Sequence, residues 1–477
     1  MTYAVETPRT YDVEKLKSST SGESLAEEEL VLAQIAQEKG CDVRYRTCSW
    51  QKTAALLFSE YVCLSVLSFP WSFSVLGMVP GIIITLSVAM MCLYTSMTLW
   101  RYCLKHPEIR DICDIGQKLF GGSKLAYNIT SVFFILNNTF VQALHLLVGT
   151  KLLNTLSNSA KCSVIFGIVT TATCFLLTLP RTLKELSHLG LFSTIAMGIA
   201  ILLGIIFSGV QKHPFGYIAG EEPIVTAFPV TGTTYVTGES TPMELSMSAF
   251  LNIAFVLIGQ AAIPSFIAEM ENPKDFPKAL WTVTIAEIVV YIVCGALVYH
   301  YVGNQYITAP AFGSLQPLYK KIAFSFSIPT IIFLGSLFSS VTARFVFFRI
   351  FKHSRHLHSH TVTAWTTWIG IIAVTWVVAF IIAQVIPFFS DMLGLMCSLF
   401  DGWFGFIFWA MAYLSLNPGQ KKWNGPLKTL ETLINYAFIL VGVYITVAGT
   451  YTSIQSIINS YEAQLVGSLF SCASNAI

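Results

Sequence analysis

The sequence predicts an all-α polytopic membrane fold of about eleven transmembrane helices, and three observations carry that prediction. The 477 residues are 54% hydrophobic and only 11% charged, whereas a soluble chain of this length carries about a quarter charged residues. Uncharged stretches recur, among them Tyr61 to Trp100, Leu125 to Thr150, Leu186 to Gln211 and Leu245 to Ala268. Each exceeds the roughly 18 residues that a helix needs to cross a bilayer. Turn residues and charges then divide the apolar runs, as at Gly77-Met78-Val79-Pro80-Gly81, at Pro387 with Asp391 and at Asn417-Pro418-Gly419.

The first fifty residues form a polar tail in which "KSSTSGES" has the composition of disorder. The tail carries Lys15, Lys17 and Lys39, residues suited to contacts with a ubiquitin ligase or trafficking factor, and it has no apolar leader segment. Eleven spans follow near residues 53–76, 80–103, 124–150, 161–180, 187–210, 245–269, 279–303, 322–347, 362–386, 391–415 and 432–458. The membrane domain thus covers 51–460, with five-span halves at 51–210 and 245–415, an extra helix at 432–458 and a tail at 461–477. With the N-terminus inside, sixteen lysines and arginines fall on cytoplasmic connections and span ends, and five fall outside. The excess sets the orientation: N-terminus in, C-terminal tail out.

The eleven cysteines include no Cys-x-x-Cys pair and read as small apolar packing residues. Four histidines cluster in "HSRHLHSH" (His353, His356, His358, His360), but no cysteine or carboxylate stands beside them, so no metal site is assigned. The net charge of +2 argues neither for nor against a nucleic-acid partner, but no basic arm or nucleic-acid motif is present, and none is expected. No His-Glu-x-x-His or nucleophile–base motif points to an enzyme.

Span 1 contains "SVLSFP", Ser65 to Pro70, and span 6 contains "GQAAIP", Gly259 to Pro264, at an offset of 194 residues. Each places small residues at its first and fourth positions and an apolar residue before the proline. Proline removes a backbone donor and strains the helix. A helix broken in mid-membrane is tolerable only where its backbone lines a cavity and a ligand satisfies it. Spans 1 and 6 cross in opposite directions, so matched breaks are what an inverted-repeat transporter requires. Free amides at the start of a half-helix can meet a carboxylate, and loose carbonyls can meet an ammonium. The two breaks together therefore suit both charged ends of a free amino acid. Neither break holds an ionisable side chain, which favours neutral substrates. The candidate substrate-binding residues are Ser65, Val66, Leu67, Ser68 and Phe69 in span 1, with Phe255, Gly259, Gln260, Ala261 and Ala262 in span 6.

Ionisable residues inside spans are functional candidates, because a charge at the bilayer midplane costs about 2.5–3.5 kcal/mol. Glu60 and His145 are the candidates for proton coupling; Glu287 and Asp401 complete the interior set. Ser339 and Ser340 in span 8 offer hydroxyls for sodium as the less favoured coupling ion. No cofactor is implied.

Several segments resemble the amino acid/auxin permease family of the amino acid–polyamine–organocation superfamily. They are "KTAALLFSEYVCLSVLSFPWSFSVLG", "DICDIGQKLFGG", "LNNTFVQALHLLVGTKLLNTLS", "LPRTLKELSHLGLFS" and "FIAEMENPKDFPKAL". The nearest likeness is to fungal permeases for neutral aliphatic and aromatic amino acids. That resemblance implies a LeuT-like fold of ten core helices plus one, with proton-driven import at the plasma membrane. It also implies that spans 1, 3, 6, 8 and 10 surround the substrate. Cys63, Leu64 and Ser65 stand where many relatives carry glycines. A vacuolar or specialised-metabolite transporter is the alternative within this class, and an amino-acid-sensing receptor is the alternative outside it.

Overall fold

A computed structural model describes residues 48–181, 183–229, 242–351, 354, 356, 361–463, 470 and 472–477. The expected contacts of the N-terminal tail, and His353, His358 and His360, lie outside the described residues.

Within them the chain is helical. Eight helices are long and apolar enough to cross a bilayer, nine when the bent pair Trp50–Tyr61 and Leu64–Leu76 counts as one span. Two shorter apolar helices, Ser163–Thr178 and Met243–Leu257, occupy the expected positions of spans 4 and 6. Spans 2 and 3 are Met78–Lys105 and Lys124–Ser157. Span 5 is Leu183–Val210, span 7 is Phe276–Tyr306, span 8 is Ile328–Ile350 and span 9 is Val362–Val385.

Between spans 1 and 2 the chain turns at Gly77, whose φ of 84° suits glycine. A Cβ there would also lie 2.7 Å from the Phe228 backbone, because the connection between spans 5 and 6 crosses this corner. Met78 and Val79 donate their amides to Thr226 and Ala227 of that connection.

Three departures from the sequence reading matter. The segment after span 2, read as a loop, contains a helix at Ile112–Leu119, started by Asp111, whose carboxylate accepts from the amides of Cys113 and Asp114. Span 10 is not a uniform α-helix: Phe389–Met396 passes into a π-helical stretch, Cys397–Ile407, before Phe408–Leu416. Span 11 repeats the device in Pro426–Tyr444, Ile445–Gly449 and Thr450–Glu462. The two wide-turn segments lie against each other, with no room for a side chain at Gly402, where a Cβ would sit 2.3 Å from Thr446 Oγ1.

The third departure is covalent. Cys162 and Cys472 form a disulfide across 310 residues, so these two cysteines are not packing residues. Six other cysteines are buried as expected, and Cys41 lies outside the described residues. The bond places the start of span 4 and the C-terminal tail on one face of the bundle. On the opposite face, Cys48 pairs with the end of span 6, its N–H on Glu269 O at 3.1 Å and its carbonyl accepting from Glu271 N at 3.0 Å. These are called below the C-terminal face and the N-terminal face.

Candidate functional site

Both expected breaks are present. In span 1 the α-helix stops at Tyr61, Val62 and Cys63 are non-helical, Leu64–Ser68 form a tight 3₁₀ turn, and α-helix resumes at Phe69. The two halves meet at 43°. In span 6, Pro242–Leu257 ends before an irregular stretch at 258–262, and Ile263–Glu269 continues the span. Each proline stands at the start of the second half-helix, where its missing N–H costs nothing.

The breaks touch. A Cβ added at Gly259 would fall 2.0 Å from Tyr61 Cε1 and 2.4 Å from its Cζ and hydroxyl oxygen. Glycine is therefore required for the two broken segments to lie this close. At the break Tyr61 O accepts from Cys63 N at 2.9 Å and from the Tyr291 hydroxyl of span 7 at 3.1 Å, while the Tyr291 ring packs 4.9 Å from Phe69. The start of the 3₁₀ turn leaves the Leu64 and Ser65 amides without acceptors inside the helix.

Access is one-sided. From Leu64 to Pro70 every residue is buried, and Leu67 shares a small cavity with Ala311, Phe312 and Leu315 of the segment between spans 7 and 8. Toward the N-terminal face, Glu60, Cys63, Gly259, Ala261 and Ala262 keep partial exposure, and Ser265 is open. The two breaks are thus covered from the C-terminal face and approachable from the N-terminal one.

The remaining candidates divide. Val66 and Phe69 are fully buried core residues; Phe255 is half-buried; Ser68 returns its hydroxyl to Ser65 O at 2.7 Å. Gln260 turns away from span 1 and donates to Thr95 Oγ1 at 3.1 Å and Cys92 O at 3.4 Å in span 2. Its backbone stays at the break; its side chain is a strut. His145 donates from Nδ1 to Val141 O at 2.8 Å and packs beside Gly335 of span 8, so it is not brought to the breaks.

Sequence reasoning underrated Glu287 and Asp401. Glu287 of span 7 is 4% exposed, acts electrostatically on Tyr61 together with Glu60, and has one carboxylate oxygen without a partner. Asp401 lies in the wide-turn part of span 10, 7% exposed, with one oxygen likewise unpartnered. Glu287 and Asp401 both act electrostatically on Cys92, which the Gln260 strut also contacts. Among the described residues, no lysine or arginine acts on Glu60, Glu287 or Asp401. Ser339, Ser340 and Thr342 are fully buried, and their hydroxyls have no partner among the described residues.

Paired broken helices with a run of buried acids are the parts of a carrier, and comparison with known proteins gives its family. The model of the transmembrane amino acid transporter protein family matches residues 46–455. The chain belongs to this family. It is 32% identical over 433 residues to the N amino acid transport system protein of Neurospora crassa, covering 90% of this chain and 89% of that one. A "Transmembrane transporter" of Gibberella moniliformis is 26% identical over 93% of this chain and 91% of its own length. Among solved structures, that of MhsT in complex with L-phenylalanine aligns over 88% of this chain and all of that one, at 12% identity and a TM-score of 0.49. Membership makes this a transporter and not an enzyme. Its all-helical architecture with matched breaks in spans 1 and 6 agrees with the expected inverted repeat.

Proposed function

We propose that this transporter imports neutral aliphatic and aromatic amino acids by cation symport, with a proton as the coupling ion. The observation that carries the reading is the contact of the two breaks through Tyr61 and Gly259. Amides at Leu64 and Ser65 receive the substrate carboxylate, and carbonyls of 258–262 receive the ammonium. Ala261 and Ala262 leave room for an apolar side chain. Ser65, Val66, Leu67 and Ser68 approach through backbone, and Phe255 borders the space.

Glu60 is the proton carrier in this reading, with Glu287 as its partner. Two carboxyls within reach of each other in a low-dielectric interior cannot both hold charge without large cost, so a proton belongs to the pair. One charge moving down 100 mV yields about 2.3 kcal/mol. At about 1.4 kcal/mol per tenfold, that supports roughly fortyfold accumulation of a zwitterion. Sodium is the second reading. It is favoured by the unpartnered hydroxyls of Ser339, Ser340 and Thr342, since buried hydroxyls ordinarily find a partner.

The disulfide supports an extracytoplasmic C-terminal face, because such bonds persist in oxidising compartments. With that orientation the N-terminus lies in the cytoplasm, which the positive charges also support, and the described state is open to the inside. The plasma membrane is the proposed location, and the vacuolar membrane is the alternative. Uptake of labelled leucine and phenylalanine into cells expressing a tagged copy, imaged in parallel, tests substrate class and location together. Binding of both without uptake at the cell surface contradicts the proposal and favours a receptor.

A further inference from the structure

The end of the chain returns to the C-terminal face and finds partners there at almost every residue. Cys472 is bonded to Cys162 at the head of span 4, with Cα atoms 4.4 Å apart. Beyond it, Ala473 O accepts from Ser163 Oγ at 2.5 Å, and the Ser474 and Ser159 hydroxyls meet at 2.5 Å. Asn475 Oδ1 accepts from the fully buried Asn154 at 2.7 Å, and Ile477 N donates to Thr155 Oγ1 at 3.2 Å. These partners lie on the ends of spans 3 and 4 and in the turn between them.

The last residue reaches a different element. Ile477 O accepts from Lys320 Nζ at 2.7 Å. Lys320 is 4% exposed, and its ammonium also sits 4.2 Å from the centre of the Phe215 ring. It belongs to the helix Pro317–Ser325, which follows the single turn Ala311–Ser314. That turn and Leu315 cover Leu67 of the span-1 break. Residues 311–325 therefore run from the span-1 break to Lys320, the point at which Ile477 grips them.

We propose that Cys472–Ile477 is a disulfide-anchored strap that holds residues 311–325 as a lid over the span-1 break, with the Ile477 carbonyl on Lys320 as its catch. Physical chemistry assigns the parts. A buried ammonium is costly without a partner, and the Ile477 carbonyl supplies one. On a free tail that contact would compete with water; the covalent anchor makes it an intramolecular event at high effective concentration. Opening toward the C-terminal face must break the catch or carry the strap with the lid.

The strap rests on the reading of the breaks as the site, but its test reads the lid alone and needs no substrate. Ala311, 3% exposed within the lid where it meets the span-1 break, is replaced by cysteine as a reporter. Its labelling by an impermeant methanethiosulfonate is timed in intact cells, and a parallel strain without the reporter is subtracted. Three tails are compared: the native one, one lacking residues 473–477, and the Cys162→Ser/Cys472→Ser pair. Both altered tails are expected to raise the labelling rate about tenfold, equivalent to about 1.4 kcal/mol. Lys320→Gln, with the tail and disulfide intact, is expected to do the same and serves where a shortened chain fails to reach the surface. Native labelling rates in the shortened tail or in Lys320→Gln overturn the catch, even if the cysteine pair has an effect.

Discussion

Gly259→Ala is the sharpest perturbation of the proposed site, because a single methyl group is added where the two breaks meet. The added Cβ would lie 2.0 Å from Tyr61 Cε1 and 2.4 Å from Cζ and the hydroxyl oxygen, all within the range where something must shift. The Tyr61 ring is a poor candidate to give way. Its own carbonyl is held by Tyr291, and it ends the first half-helix. Inserting a methylene into packed surroundings costs about 1–3 kcal/mol, so the geometry that binds substrate should be depopulated roughly five- to 150-fold. Initial uptake of leucine is measured over a concentration series and normalised to surface protein. Loss of apparent affinity or rate of that size, partly restored when Tyr61→Leu is combined with Gly259→Ala, is the expected pattern of coupled neighbours. Wild-type uptake by Gly259→Ala alone refutes the reasoning, because the breaks would then not be in functional contact.

Other perturbations follow from the same geometry. Ala261→Trp and Ala262→Trp should each abolish uptake of leucine and phenylalanine at normal surface expression, since the bulk fills the half-open space beside the break. A cysteine at Glu221, in the connection between spans 5 and 6, should react with an impermeant reagent in intact cells; one at Ser354 should react only after permeabilisation. Ser339→Ala with Ser340→Ala should leave proton-driven uptake intact, and a loss restored by high sodium would instead support the sodium reading. At Asp111, outside the spans, burial and then the Asp114 charge push the carboxyl up to about 6. The folded chain thus keeps this proton to higher pH than the unfolded one, whose value is about 3.9. Its contribution to stability should fall as pH rises from about 4 to 6, and Asp111→Asn should flatten that slope in thermal melts.

The fold and the place of the two breaks were legible because both are written in local pattern. Long uncharged runs mark the spans, and Pro70 and Pro264 mark the breaks within a few residues. What joins the parts was not legible. The disulfide pairs residues 310 apart, and no spacing rule reveals a partner at that distance. Gln260 was assigned to the substrate by its position, yet a side chain beside a break can turn either way, and Thr95 and Cys92 claim it. His145 drew attention as an ionisable group in a span, but helix phase turns it to span 8. The role of Gly259 depends on Tyr61, almost two hundred residues earlier, and only the packed structure brings them together. The wide turn that carries Asp401 has no sequence signature of its own. Such turns often mark functional positions in helices.

The central claim, proton-coupled accumulation through Glu60, is tested most directly in proteoliposomes of purified protein. Wild type and Glu60→Gln are compared with an imposed pH gradient, acid on the side of the C-terminal face, and without sodium. Substrate exchange across the same vesicles is measured at equal pH. The account predicts that wild type concentrates leucine above its external level, while Glu60→Gln exchanges leucine normally but no longer accumulates it. Accumulation by Glu60→Gln with the wild-type dependence on pH would contradict the account, and accumulation by wild type only when sodium is added would move the coupling to Ser339 and Ser340.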